Sequence, residues 1–264
     1  PQQVFQQIEL ATQIAHEDDR RRSALELGVD EVEICAELFD VVARGYVDHA
    51  RPHLQPGTPT EVLPLGVDLA AFDAAVRPVE TLGLSKPPGE SWLFLGGAIR
   101  SHIDVTGTAE MMAELARRGR DDIKLIVVAA DETTGPLRDE VGRLGLENVR
   151  LLGFRPYDEF ASIAAACDAA LCPIRPEAMV FLPNRVFDYF AAGLPVINTL
   201  GGELAELLAE HGAGRTVPPS RSAAWADAAE ELPAEARPDA PPAARRGAWV
   251  QQYDRRRLAE HLAE

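Results

Sequence analysis

The sequence predicts an α/β protein: a parallel sheet with helices on both faces, preceded by a short helical N-terminal region. Three observations carry that prediction. From Trp92 onward, short apolar runs alternate strictly with helical patterns. The runs are apolar at successive positions, as expected of strands buried on both faces of a sheet. Glycine pairs and helix-ending glycines punctuate the junctions, at Gly96-Gly97, Gly145 and Gly201-Gly202. Such alternation implies parallel pairing with right-handed crossovers.

In chain order, residues 1–54 read as helical. Val4, Ile8, Ala11 and Ile14 share one face, and Val32, Cys35, Leu38, Phe39 and Val42 another, with a charged break at 18–22 between them. Arg51-Pro52 and Pro56-Gly57 end this zone. A short strand is expected over 61–64, followed by Leu65-Gly66-Val67-Asp68-Leu69 with Phe72, and a connector rich in Pro and Gly over 77–90. The regular pattern then gives strands over 92–95, 123–129, 149–152, 169–173, 195–198 and 215–217. The helices between them are expected near 106–118, 136–144, 157–166, from Pro183 to Gly193, and up to 210. Pro136 would open its helix and Gly145 close it. A helix over 223–232, a Pro/Ala linker over 233–243 and one terminal helix with Trp249, Tyr253, Leu258 and Leu262 complete the chain. The division expected is 1–60, the helical region, and 61–264, the sheet-bearing domain.

Composition narrows the function classes. The 264 residues carry 42 acids against 26 Lys plus Arg, a formal net charge of −16, and the only lysines are Lys86 and Lys124. That balance argues against broad nucleic-acid binding and against general attraction to an anionic membrane. Cys35, Cys167 and Cys172 form neither a disulfide framework nor a paired metal motif and read as buried free thiols. No apolar run reaches the ~18 residues of a membrane span. The N-terminal residues lack the basic and apolar regions of a signal peptide. Cytoplasmic placement, possibly peripheral to a membrane, is the expectation.

The most informative stretch is 183–198, Pro-Asn-Arg-Val-Phe-Asp-Tyr-Phe-Ala-Ala-Gly-Leu-Pro-Val-Ile-Asn. A short amphipathic helix ends at Gly193 and runs directly into an apolar strand. Free N–H groups at its start attract phosphate, and Arg185 can reinforce them. Asp188, one turn on from Asn184, can accept hydrogen bonds from a ribose.

This segment resembles the donor-binding helix of GT-B glycosyltransferases, in the branch reading roughly P-N-K-x-x-E-Y-x-A-x-G-x-P-V. Other stretches fall in family order: Gly66-Val67-Asp68 with Phe72, 148–154 ending in Leu152-Gly153-Phe154, and 167–173 with Asp168 and Pro173. The resemblance runs from about Val62 to the C-terminus and implies the Rossmann-like, nucleotide-sugar-binding half of such an enzyme. Only 63 residues precede Pro64, against the ~100–150 that an acceptor domain needs. The acceptor half is therefore expected to be missing, shrunken or supplied by another chain.

The resemblance implies roles residue by residue. Asp188 stands for the ribose-binding glutamate, one methylene shorter. Arg185 stands where a phosphate-binding lysine is frequent, and a guanidinium can do that work through paired hydrogen bonds. Backbone N–H groups of Leu182, Asn184, Gly96 and Gly97 are further diphosphate candidates. Arg100 lies near the position of a diphosphate-binding cation, although the neighbouring lysine is absent. Phe154 and Arg155 sit in the loop similar to the one that contacts the base. The family pairs two glutamates eight positions apart, yet the position eight before Asp188 is Val180; Glu177 lies close by as a candidate sugar contact.

No metal site, cofactor or general base is nominated. The expected function is transfer of a sugar from a nucleoside-diphosphate sugar to an unknown acceptor, a glycan, lipid-linked or small molecule. The alternative is a non-catalytic glycosyltransferase-like subunit that binds nucleotide or a partner protein. A nucleotide-sugar epimerase on the same fold is a third, weaker reading.

Overall fold

A computed structural model of the chain describes residues 39–41, 43–54, 56–219, 221–235 and 240–261. The first expected helical face, and Val32, Cys35, Leu38 and Val42 of the second, lie outside these residues. The chain divides into two compact units, 1–65 and 66–264, against a sequence expectation of 60/61 for the division.

In the first unit, β1 (Phe39–Val41) pairs in parallel with β2 (Thr60–Val62), and α1 (Arg44–Ala50) lies between them in sequence. Phe39 is therefore in a strand, and the all-helical expectation for 1–54 fails there. Phe39 and Val41 are residue types that favour strands, and the partner of Phe39 is Thr60, 21 residues on, beyond what a helical period reveals.

The second unit opens with α2 (Leu69–Ala75), capped by Asp68, whose carboxylate accepts from the Ala71 N–H at 2.8 Å. Six strands follow: β3 (Ser91–Gly96), β4 (Ile123–Val128), β5 (Val149–Leu151), β6 (Ala169–Cys172), β7 (Val196–Asn198) and β8 (Gly214–Thr216). They form one parallel sheet in the order β5-β4-β3-β6-β7-β8. Leu93 of β3 faces Leu125 on one side and Ala169 on the other. The central strands are almost wholly buried, whereas β5 and β8 at the edges are half-exposed.

Helices form two layers. On one, α3 (Val105–Arg117) packs between α4 (Asp131–Leu144) and α8 (Ser222–Glu235). Met111, Met112 and Leu115 of α3 are fully buried, and Gly107 lies so close to Trp225 that a Cβ would come within 2.9 Å of its ring. On the other, α5 (Tyr157–Ala166) packs against α2 and α6 (Arg185–Ala191). α7 (Glu203–His211) leads into β8.

Three boundaries differ from expectation. α4 starts at Asp131, so Pro136 lies inside it. Its first turn holds because the Thr133 and Thr134 hydroxyls bond back to the Ala130 and Asp131 carbonyls, at 2.8 and 3.0 Å. α8 continues through Pro233, shortening the expected linker. The terminal helix is split: after α9 (Pro242–Arg245) comes a 3₁₀ turn, Ala248–Tyr253, and then α10 (Arg255–His261). The split occurs because Asp254 is extended and bridges Val67. The Val67 N–H donates to the Tyr253 carbonyl at 2.9 Å, and the Arg255 N–H donates to the Val67 carbonyl at 3.0 Å.

Cys167 and Cys172 are buried free thiols. Among the described residues no helix is long and apolar enough to cross a membrane.

Candidate functional site

Strand order reverses between β3 and β6, and in open α/β sheets ligands bind in the crevice beyond the strand carboxyl ends at that switch point. Here the crevice is bordered by the loop after β3 and the loop after β6. Ile103 and Ile174 form an antiparallel bridge between them, and the Asp104 N–H donates to the Pro173 carbonyl at 2.8 Å. Thr199, just past β7, receives the Ile174 N–H at 2.8 Å and donates to the Ile174 carbonyl at 2.7 Å. The floor of the crevice is thus fixed by backbone pairing.

α6 begins at this edge. Asn184 is exposed at the N-cap position with helical φ of −54° and makes no side-chain cap bond. The Val186 and Phe187 N–H groups turn back to the Pro183 and Asn184 carbonyls. Leu182 is 4 % exposed, a core side chain whose backbone alone could face a ligand. Arg185 reaches from α6 to the loop after β3, donating Nη2–H to the Ala98 carbonyl at 2.8 Å, while its buried Nη1 has no hydrogen-bond partner.

Two nominated groups are already engaged. The Gly96 N–H donates to the Tyr189 hydroxyl at 3.2 Å, and the Gly97 N–H donates to the Val128 carbonyl at 2.9 Å. Neither is free for a diphosphate, which corrects that expectation. Gly96 is needed for a different reason: a Cβ there would lie 2.7 Å from the Phe160 ring and 2.6 Å from Phe94. Tyr189 itself is fully buried and joins β3, β6 and α6, its hydroxyl also lying 3.3 Å from the Leu171 carbonyl.

Asp188 is half-buried, and the Tyr157 hydroxyl donates to its Oδ1 at 3.4 Å. Burial pushes the carboxyl up to about 6, against smaller lowering effects of Arg255 and the Tyr157 hydrogen bond. Burial and the Asp188 charge likewise push the Tyr157 hydroxyl upward. Tyr157 follows directly on the loop after β5, so Asp188 and that loop are brought together. There Phe154 is 73 % exposed. Arg155, nominated as part of the base-contacting loop, is engaged locally, donating to the Leu152 carbonyl at 3.2 Å and to Glu159 at 3.1 Å. Asp131, the first residue of α4, stands beside Gly153, its Oδ2 3.4 Å from where a Cβ would sit.

Arg100 is exposed on the loop after β3. Glu177 is exposed in a turn of the loop after β6 and hydrogen-bonds to none of the other nominated residues. Val180 is half-buried in the same loop. Asp168 lies at the opposite, amino edge of the sheet. It accepts from the Trp92 N–H at 2.6 Å and pairs with Lys86 at 2.6 Å, a structural role. Among the described residues no three His, Cys, Asp or Glu side chains gather to hold a metal.

Sequence reasoning missed Tyr157, Tyr189, Thr199 and Arg255. Tyr157 was detectable as an aromatic at the start of a helix on the carboxyl edge. The roles of the others depend on contacts across the sheet or with the tail, which no local pattern encodes.

The family model described as Glycosyl transferases group 1 matches residues 90–235. D-inositol 3-phosphate glycosyltransferase of Arthrobacter sp. (strain FB24) is 28 % identical over 178 residues, 65 % of this chain and 41 % of that protein. Sucrose-phosphate synthase from Thermosynechococcus elongatus has a similar structure, with TM-score 0.68 and 20 % identity, over 86 % of this chain and 57 % of that one. HepE from Anabaena, solved in complex with UDP and glucose, gives 0.63 and 21 %, over 86 % and 62 %. A glycosyltransferase from Rickettsia africae ESF-5 gives 0.66 and 17 %, over 85 % and 61 %. The chain spans about two fifths of the curated relative and less than two thirds of each of these structures.

Proposed function

This chain belongs to the glycosyl transferases group 1 family, and from that premise we propose that unit 66–264 binds a nucleoside-diphosphate sugar and supplies it for hexosyl transfer. One observation carries the reading: α6, at the switch point, presents Asp188 toward the loop after β5 and Arg185 toward the loop after β3. A nucleotide lying along that helix would place its ribose on Asp188, its base toward Phe154, and its diphosphate between Arg185, Arg100 and the N–H groups of Leu182 and Asn184. HepE holds UDP and glucose on the same fold, which supports a uridine nucleotide as the first to try.

In transfer, the bond from the anomeric carbon to the β-phosphate oxygen breaks and its electron pair leaves with the diphosphate. The acceptor oxygen bonds to the anomeric carbon and gives up its proton. Arg185 and Arg100 would meet the charge that develops on the leaving oxygen, an electrostatic role that calls on no metal. Asn184 and Glu177 would border the sugar. Unit 1–65 would be what this chain holds of an acceptor half, and the acceptor, a glycan, lipid-linked or small molecule, is met there or on a partner chain. The buried free thiols fit a reducing, cytoplasmic compartment.

Calorimetric titration with UDP, GDP and ADP tests the reading. Saturable binding of one nucleotide is expected, abolished by Asp188→Ala and weakened at least tenfold by Arg185→Ala. Binding that survives Asp188→Ala, or unchanged affinity in Arg185→Ala, refutes the respective assignment. A non-catalytic, nucleotide-binding or partner-binding subunit is the second reading. It is favoured by Val180 standing where the family carries an acid and by the engaged N–H groups of Gly96 and Gly97. Hydrolysis of a sugar nucleotide by the purified chain would exclude it.

A further inference from the structure

A second concave site lies at the amino edge of the sheet, opposite the crevice that holds the nominated residues. There the C-terminal segment 245–250 borders a cleft of about 300 Å³ beside the residues that lead into β7 and β8. That volume is at the lower end for small-molecule sites. Phe190 and Val250 supply apolar lining, and Arg245, Arg246, His211 and Trp249 supply the polar part. Among the described residues no carboxylate lines it, although the chain carries a formal net charge of −16.

The cleft holds more donors than the protein satisfies. Arg245 donates to the main-chain carbonyls of Cys167 at 3.3 Å and Ala165 at 2.6 Å, and its buried Nε has no partner. Asp168, in the same region, is spent on Lys86 and on the Trp92 N–H. The Arg246 side chain is 5 % exposed and pairs with Asp73, yet its buried Nε also lacks a partner. The indole N–H groups of Trp92 and Trp225 donate to Glu90 and to the Pro218 carbonyl, at 2.8 and 2.9 Å. That of Trp249 makes no hydrogen bond among the described residues. Guanidinium and indole nitrogens only donate, and buried donors are seldom left unmet. An acceptor is what this lining calls for.

The backbone builds the arrangement. Gly193, at φ +66° just past α6, lets the tail close in: a Cβ there would sit 2.6 Å from the Arg245 Cβ and 2.9 Å from the Arg246 nitrogen. A Cβ at Gly247 would come 2.5 Å from Trp249 Nε1, so the missing side chain leaves that edge of the indole uncovered. His211 stacks on Trp249 with centroids 4.4 Å apart and planes 7° from parallel, which holds the indole in place.

We propose that this cleft binds a small organic phosphate. Its terminal oxygens accept from the guanidinium groups of Arg245 and Arg246 and from the Trp249 N–H, and its body rests against Phe190 and Val250. Donors on several residues suit the three oxygens of a phosphate better than the two of a carboxylate. The site shares no residue with the nucleotide site above.

The Trp249 indole N–H signal, identified by its loss in Trp249→Phe, reports on this cleft and not on the carboxyl edge. ¹H–¹⁵N spectra of the full chain are followed during titration with inorganic phosphate, glucose 6-phosphate, glucose, and sodium chloride at matched ionic strength. Saturable movement is expected with both phosphates, at lower concentration for the sugar phosphate, and none with glucose or chloride. Arg245→Gln and Arg246→Gln should each weaken the sugar phosphate by about tenfold or more, the loss of a charged hydrogen-bond donor. Trp249→Phe keeps the ring and removes only the N–H, so it tests the site even where an arginine variant fails to fold. Read from the Gly247 backbone amide, its affinity should fall several-fold.

A Trp249 signal that the phosphates leave in place, or move no further than chloride does, overturns the proposal. Equal affinity in wild type, the folded arginine variants and Trp249→Phe does so too. Binding of inorganic phosphate with no gain from the sugar marks a bare-anion site and overturns the ligand class.

Discussion

Asp188 is held at a cost that the protein would shed if it could. Its folded value of about 6 lies above the ordinary carboxylate value of 3.8, so the folded chain binds this proton more tightly than the unfolded chain does. The sign follows: its favourable contribution is complete below about pH 4 and is lost as pH rises through about 6. Asp188→Asn should therefore be more stable than wild type at pH 7 to 8, by about 1–2 kcal/mol, with the gain vanishing near pH 4. The same variant should lose nucleotide affinity. A melting temperature at pH 8 that is lower in Asp188→Asn would show that desolvation is not the dominant influence. Phe154 makes the opposite case, an exposed aromatic with little to hold it there except a ligand. Phe154→Ala should weaken nucleotide binding by roughly 5- to 100-fold if a base stacks on it, while stability measured by urea stays within about 0.5 kcal/mol. The acid and cation of α6 were visible in the sequence because the helix, its ending glycine and the following strand form one continuous motif. The engagement of Gly96 and Gly97 was not visible, because it depends on how near Tyr189 and Val128 come across the sheet.

At the scale of elements, β3 is tied to α6 by the Tyr189 hydroxyl, which accepts the buried Gly96 N–H. Tyr189→Phe removes that acceptor and keeps the ring, so the loss is an unsatisfied buried donor worth about 1–3 kcal/mol. Equilibrium unfolding in urea should register it as a lower midpoint with an unchanged slope. Stability equal to wild type would mean that water replaces the hydroxyl. Central strands were legible from sequence because burial on both faces leaves no polar residue in the run, as in 93–95 and 125–128. Helix limits were less so. Asp131-Glu132-Thr133-Thr134-Gly135 reads as a loop until the threonine hydroxyls are seen closing the first turn. The break at Asp254 has no local cause at all, since its reason is Val67.

For the whole molecule, the complete six-stranded sheet, both helical layers and every nominated site residue lie within 66–264. A fragment of those residues should unfold in one transition and bind nucleotide within about twofold of the full chain, as an independently folding domain does. Much weaker binding by the fragment would assign part of the site to unit 1–65. The pairing of Val67 with Tyr253, Asp254 and Arg255 has a further consequence in time. Synthesis runs from the N-terminus, and a nascent chain can complete its sheet before the tail has left the ribosome. Until Tyr253 and Arg255 emerge and pair with Val67, Phe187 and Phe190 of α6 lack the Tyr253 ring that lies against them, so an apolar face of α6 stays open to solvent on an otherwise complete sheet.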